Sequence, residues 1–331
     1  MKSYLFTIYA VGLVFLLTAC QTSPTPKATK TDNKDCESIS HALGKTEVCD
    51  PPERVVALDS HVLDLLLALE VSPIGYAQPR YVASGNAGQS LDNIRYLGKY
   101  LTEPPVNIGT REQPSLETIT QLNPDLIVGH GVSGQLHPKL SQIAPTVFPR
   151  QNWEAYQTQY SWQRELTLLG QLLNQEQKAQ QVIKQHQQRL TQTKEQLKPI
   201  RQKHPRVLLL AMSGLNQMSV FTGETFPGTL LTQLGWELVL PKGKTPQYGE
   251  IPIGLETLPN LKPDLIIVMA SGYTAVEAME QQWQDHPLLQ SLPAWKANNV
   301  YFVDYQLWSR IRGPLAAEQI FTQLQQQFPA N

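Results

Sequence analysis

An ungapped internal repeat constrains this chain more than any other feature. The segment Ser115-Leu-Glu-Thr-Ile-Thr-Gln-Leu-Asn-Pro-Asp-Leu-Ile-Val128 returns as Gly254-Leu-Glu-Thr-Leu-Pro-Asn-Leu-Lys-Pro-Asp-Leu-Ile-Ile267, at a constant offset of 139 residues. Each copy reads as a short helix, a Pro-Asp turn and a buried strand, which predicts two lobes built to one plan. Between the copies, Glu176 to about Arg201 has no Gly, carries Pro only at Pro199, and is otherwise made almost entirely of good helix formers. As one helix its roughly 26 residues would span roughly 39 Å, the diameter of a domain. Ala179, Val182, Ile183, His186, Leu190 and Leu197 form a narrow apolar stripe along it, and glutamines fill most of the rest. His186 is therefore expected as a packed residue. The expected division is an N-terminal lobe over 36–175, a connecting helix over 176–202 and a C-terminal lobe over 203–331.

On both sides of that helix the pattern alternates strand and helix. Arg54-Val-Val-Ala-Leu58 is a short apolar run, Asp59 or Ser60 can cap a helix, and Val62, Leu65, Leu66 and Leu69 make its apolar face. Further strands are expected near 74–77, 126–129 and 146–148, then near 206–212, 218–221, 265–269 and 300–303, with a last helix from Leu315 to about Gln327. The fold class predicted is α/β, with two parallel-sheet lobes joined by one long rigid helix.

Residues 1–19 start with a Lys at position 2 and run through an apolar core from Tyr4 to Leu17 that is shorter than the roughly 20 residues a membrane span needs. They read as a secretion signal. Leu17-Thr-Ala-Cys20 resembles the lipobox of bacterial lipoproteins, which implies cleavage before Cys20 and acylation (palmitate) of its thiol. The stretch 20–35 is rich in Thr, Pro and Lys and reads as a flexible tether. Of the 3 cysteines, Cys36 and Cys49 remain for a disulfide in an oxidising compartment. A hairpin tip at Ala42-Leu43 would bring them opposite each other.

With these pieces in place, the chain resembles the substrate-binding proteins of bacterial iron-chelate uptake transporters, most of all the ferric-citrate and ferric-siderophore branch. The carriers are the lipobox; His41-Ala-Leu-Gly-Lys-Thr-Glu-Val48 leading into Arg54-Val-Val-Ala-Leu-Asp59; Gly109-Thr-Arg-Glu-Gln-Pro-Ser-Leu-Glu117 with Asn123-Pro-Asp-Leu-Ile127; and Leu307-Trp-Ser-Arg-Ile-Arg-Gly-Pro-Leu-Ala-Ala317. The resemblance implies two lobes with ligand held in the cleft between them. It also implies an extracytoplasmic, lipid-anchored protein that captures a ferric siderophore or ferric citrate and delivers it to the permease of an ABC importer. No catalysis, cofactor or nucleic acid is expected, and the protein should be a monomer. The iron would be held by its chelator, with no metal bound to protein side chains.

Ligands of parallel α/β sheets lie at the carboxyl ends of the strands. The candidates there are His61, Arg80, Tyr81 and Arg111, then Trp153, Tyr156, Tyr160 and Trp162, and from the second lobe Met212, Tyr248, Tyr273, Trp308, Arg310 and Arg312. Arginine forks suit the acceptor shell of an anionic chelate, and aromatics suit its apolar flanks. The formal net charge is −1, so any positive field is local to the cleft. Glu117 and Glu256 occupy the same place in the two repeats, and the resemblance implies that such paired glutamates dock on permease arginines. Other readings stay open. Haem or cobalamin would suit the same fold. A bare divalent metal could use His61, His130, His137 or His204, although no metal signature surrounds them. A hydrolase would need a nucleophile elbow that is missing, and Asp59-Ser60-His61 reads as a helix cap.

Overall fold

The computed structural model describes residues 36–79, 94–149, 162–272 and 275–328. The expected signal, Cys20 and the expected tether lie outside them. Among the described residues no helix is long and apolar enough to cross a membrane.

A hairpin of β1 (Cys36–His41) and β2 (Gly44–Cys49) opens the described chain. Its register pairs Cys36 with Cys49 and His41 with Gly44, and a disulfide joins the two cysteines. The hairpin is tied to the first lobe where Thr46 Oγ1 donates to the Thr146 carbonyl (2.9 Å) and Ala42 N to that of Phe148 (3.0 Å). It lies beside the edge of the first sheet and covers a strand that would otherwise offer unpaired backbone groups.

The first lobe follows as β3 (Val55–Ala57), α1 (Ser60–Ala68), β4 (Gly75–Gln78), β5 (Val106–Thr110), α2 (Leu116–Leu122), β6 (Leu126–Val128), α3 (His137–Leu140) and β7 (Thr146–Val147). Its five strands are all parallel, in the order β5-β4-β3-β6-β7. Asp59 is the N-cap of α1, its Oδ1 accepting from Val62 N at 2.8 Å. Then come α4 (Trp162–Leu172), α5 (Glu176–Gln196) and α6 (Lys198–Lys203). The expected continuous helix therefore stops at Leu197. Pro199 has no N–H to donate back along the ladder, and it serves instead in the first turn of α6.

The second lobe comprises β8 (Arg206–Gly214), β9 (Gln217–Phe221), α7 (Phe226–Leu234), β10 (Glu237–Leu238), β11 (Glu250–Ile253), α8 (Leu258–Leu261), β12 (Leu265–Ala270), α9 (Val276–Gln284), α10 (Pro287–Ser291), α11 (Pro293–Lys296), β13 (Val300–Asp304) and α12 (Pro314–Gln327). Here the sheet is mixed. The strands β8, β12 and β13 are parallel; β9 runs antiparallel to β8 because the two-residue turn at Leu215-Asn216 leaves no room for a crossover, and β11 pairs antiparallel with β9.

The repeat has a structural meaning that its sequence does not state. Asn123 and Lys262 end the two repeat helices in the left-handed region, at φ 45° and 48°. Asp125 then accepts from the backbone of Glu53 and Arg54 at 2.9 and 2.8 Å, and Asp264 from that of Arg206 at 2.9 Å. Arg54 and Arg206 return donors to the carbonyls closing the same helices. Each Pro-Asp turn thus anchors the start of the neighbouring strand, β3 or β8. The second repeat helix opens as a tighter turn over Leu255–Thr257, since Pro259 cannot bond back as Thr120 does in the first copy.

The lobes share more than the connecting helix. One hydrophobic cluster runs from Val55 and Leu66 through Trp162, Leu169 and Leu190 to Val207, Ile320 and Phe321. In it α12 packs on both α1 and α5. At this joint the buried Asp64 of α1 accepts from Leu315 N (3.1 Å) and Ala316 N (2.8 Å) at the start of α12. A side chain at Gly313 would collide with that carboxylate. Burial pushes Asp64 up to about 7 although both donors favour its charged form.

His186 stands in the same layer, its ring edge-on to Trp162 (5.0 Å) and stacked on Phe321 (5.7 Å). Burial pushes it down to about 4. Between that value and its ordinary 6.5 the unfolded chain binds the extra proton and the folded chain does not. Stability from this residue is therefore complete above about 6.5 and is lost as pH falls towards 4, by about 3 kcal/mol. Asp64 has the opposite slope, contributing below its ordinary 3.8 and losing that contribution as pH rises through about 7. Urea unfolding of wild type and His186→Gln at pH 7 and pH 4.5 should show a smaller acid loss in the variant. Parallel pH profiles would refute the assignment.

Candidate functional site

The first sheet grows outward in both directions from β3, so its strand order reverses between β3 and β6. The carboxyl ends on either side of such a reversal splay apart and leave a crevice. Asp59 and Ser60 follow β3, Pro79 follows β4, and Arg111 and Glu112 follow β5. In the second lobe β13 runs into a π-helical turn, Gln306–Ile311, of the kind often found at functional sites. Gln306 and Arg310 from this turn meet the five first-lobe residues around one small cleft.

The two guanidinium groups are held differently. Arg111 N donates to the Gln78 carbonyl at 3.0 Å, and its own carbonyl accepts from Ser133 Oγ at 3.1 Å. Its side chain, mostly shielded, donates from Nε and Nη2 to Glu112 Oε1 at 3.2 and 2.9 Å. Arg310 lies over the Tyr305 ring at 5.0 Å, a cation–π contact. Burial pushes the Glu250 carboxyl up, and the charge of Arg310 partly offsets this. Each lobe thus presents one forked cation beside an acidic residue, an arrangement able to grip an oxyanion that outcompetes the internal carboxylate. Ser60 Oγ and Tyr76 Oη lie 2.7 Å apart beneath the cleft floor, and burial holds the phenol of Tyr76 above its ordinary range.

Below the cleft lies a buried polar cluster. His61 places Nδ1 3.0 Å from the Ile311 carbonyl and Nε2 2.7 Å from Glu165 Oε2. The His130 ring stands edge-on to that of His61 at 5.0 Å. Its Nδ1 is 3.6 Å from Asp59 Oδ2 and 3.4 Å from Arg312 Nη2. All five side chains are buried.

The sequence matches the periplasmic binding protein family over residues 55–307. The chain belongs to that family. Curated relatives include the Fe(3+)-citrate-binding protein YfmC of Bacillus subtilis, 26% identical over 329 residues, with 96% of each chain covered. The Fe(3+) dicitrate-binding periplasmic protein FecB of Escherichia coli is 31% identical over 291 residues, covering 85% of this chain and 89% of FecB. Among solved structures, Staphylococcus aureus SirA complexed with staphyloferrin B is similar with a TM-score of 0.69 and 24% identity, covering 89% of this chain and 99% of SirA. That likeness shows a shared fold.

In this periplasmic binding protein the expected ligand residues do not all converge. Arg111 and Arg310 line the cleft. Arg312 lies behind it, 7% exposed, at φ 62°. His61 is 0% exposed and faces Glu165, because α1 is buried all round and turns that side chain into the joint. Trp308 is 1% exposed and donates its indole N–H to Gln323 Oε1 at 2.8 Å. It belongs to the core, since the π-helical turn directs Trp308 inward and Arg310 into the cleft. Tyr248 is 50% exposed in the loop between β10 and β11, apart from the residues lining the cleft. Met212 and Trp162 are core residues. Arg80, Tyr81, Trp153, Tyr156, Tyr160 and Tyr273 lie outside the described residues. Glu117 and Glu256 are both exposed in first turns, Glu117 one residue into α2 and Glu256 turned back over Gly254.

Sequence reading missed Glu165 and Asp64. Both left a signal: Glu165 falls on the apolar stripe of α4 with Trp162, Leu166, Leu169 and Leu172, and Asp64 interrupts the apolar run Leu63 to Leu67. A carboxylate on a buried face is costly unless partnered, so such positions mark a tertiary polar contact.

Proposed function

We propose that this periplasmic binding protein captures an anionic ferric chelate, of the citrate or siderophore class, and hands it to an ABC importer. The reading rests on one observation, the meeting of Arg111 from the first lobe and Arg310 from the second in a single cleft. Iron wrapped in carboxylate or catecholate oxygens presents negative acceptors in several directions, and two forks contributed by different lobes suit that shell. The relatives named as ferric citrate and ferric dicitrate binders support the same class. Cys20 would carry the lipid anchor that keeps the protein at the membrane outside the cytoplasm, and Glu117 and Glu256 would meet the permease. The protein acts by binding and has no catalytic step.

The test is a tryptophan fluorescence titration with ferric citrate, hydroxamate and catecholate chelates, haem and cobalamin. Arg111→Ala and Arg310→Ala should each weaken the preferred ferric chelate about 10- to 100-fold, the loss of one charge-assisted contact at roughly 1.5–3 kcal/mol. Haem and cobalamin should bind worse than the anionic ferric chelates. If neither substitution changes the affinity for any anionic ferric chelate, the cleft is misassigned.

A further inference from the structure

The cluster beneath the cleft has donors suited to a metal ion, on residues that chelate capture does not use. We propose that His61, His130 and Glu165 bind one divalent transition-metal ion, zinc in class, independently of any chelate. The three side chains come from α1, from the loop after β6 and from α4, and their ligand atoms all lie within 4.8 Å of one another. A zinc ion takes imidazole nitrogen and carboxylate oxygen at about 2.0–2.2 Å, so donors at this spacing surround a position that small side-chain rotations complete.

The hydrogen bonds define which atoms coordinate. The Ile311 carbonyl can only accept, so His61 Nδ1 carries a hydrogen and Nε2 is its metal-facing nitrogen. That Nε2 lies 2.7 Å from Glu165 Oε2. Two lone pairs do not face each other at this distance, so one proton is shared between them. The ion takes the place of that proton, which leaves to solvent, and a neutral imidazole and a carboxylate remain as ligands. His130, whose Nδ1 lies near Asp59 Oδ2 and Arg312 Nη2, supplies the third ligand from its ring. Asp59 is itself fixed by Val62 N. A carbonyl behind one imidazole and a carboxylate beside the other are the outer partners that orient metal-bound histidines. The entry path is short, since Asp59 both lines the cleft and approaches His130. Two imidazoles and a carboxylate select zinc, cobalt or nickel over magnesium or calcium. Arg312 beside His130 repels the ion, which sets the affinity below that of a site without a cation.

Cobalt(II) serves as the probe. Full-length protein stripped with a chelator should take up one cobalt ion per chain, with the strong visible bands of a four-coordinate site, and zinc should displace it. Glu165→Gln, which can still hydrogen-bond His61, and His130→Gln should each weaken uptake by more than the about 10–100-fold that loss of an outer partner costs. In wild type, with no substitution needed, imidazole nitrogen NMR should show zinc shifting Nε2 of His61 and one ring nitrogen of His130 and leaving the other histidines in place. Failure of wild type to take up cobalt or zinc, uptake unchanged in both variants, or shifts confined to other histidines would each overturn the site.

Discussion

Arg312→Gly is expected to destabilise the folded protein by about 3–5 kcal/mol, the loss seen when one partner of a buried charge group is removed. Arg312 is buried beside His130, which in turn approaches Asp59 and, through its ring, the His61–Glu165 pair. Two carboxylates in this low-dielectric layer need positive charge nearby, and the guanidinium supplies it permanently. Glycine is the informative replacement. At φ 62° glycine fits the backbone without strain, so the substitution adds no conformational penalty to the loss of the buried guanidinium and its packing. The loss should appear as a lower urea midpoint at unchanged slope. If Arg312→Gly unfolds at the wild-type midpoint, the cluster does not depend on its arginine. A variant of normal stability that had lost chelate binding would instead make Arg312 a ligand contact.

Glu117→Ala combined with Glu256→Ala is expected to abolish iron-chelate uptake while leaving chelate affinity at the wild-type value. The two carboxylates stand at equivalent positions in the first turns of the repeat, one on each lobe, and both face solvent. A helix N-terminus favours an acidic neighbour, worth about 0.3–1 kcal/mol, so the double variant should fold with little loss of stability. Exposed charges of this kind act on encounter and register with a partner rather than on a cleft they do not line. Uptake is measured in cells expressing the variant at normal level, beside fluorescence titration of the purified protein. Normal uptake would leave the helix dipole as the only role for the pair.

The contrast between Arg310 and Trp308 shows where sequence reading stopped. Both belong to Leu307-Trp-Ser-Arg-Ile-Arg312, and both were expected at the cleft. In an α-helix residues two apart point in different directions, and a π-helical turn changes that angle again. Nothing in the local sequence announces the π turn, so the division of this segment into a core Trp308, a cleft Arg310 and a buried Arg312 arises from packing. His61 and His130 show the same limit. Each lacks a motif, and they meet only because β3 and β6 are neighbours in the sheet.

The sequence by itself determined the elements whose cause is local. Apolar runs became strands, the Pro-Asp repeats became matching turns, Asp59 became a cap, and the hairpin register brought Cys36 to Cys49. The long helix was legible in composition, although it was expected to continue through Pro199 and instead stops at Leu197. Tertiary structure alone decided what depends on partners distant in the chain: the antiparallel pairing of β11 with β9, the docking of α12 on Asp64, and the joining of the lobes through a common core. It also decided which candidates reach the cleft. Burial and hydrogen-bond partnership are properties of the packed whole, and a side chain acquires them only when segments up to about 250 residues apart come together, as His61 and Ile311 do.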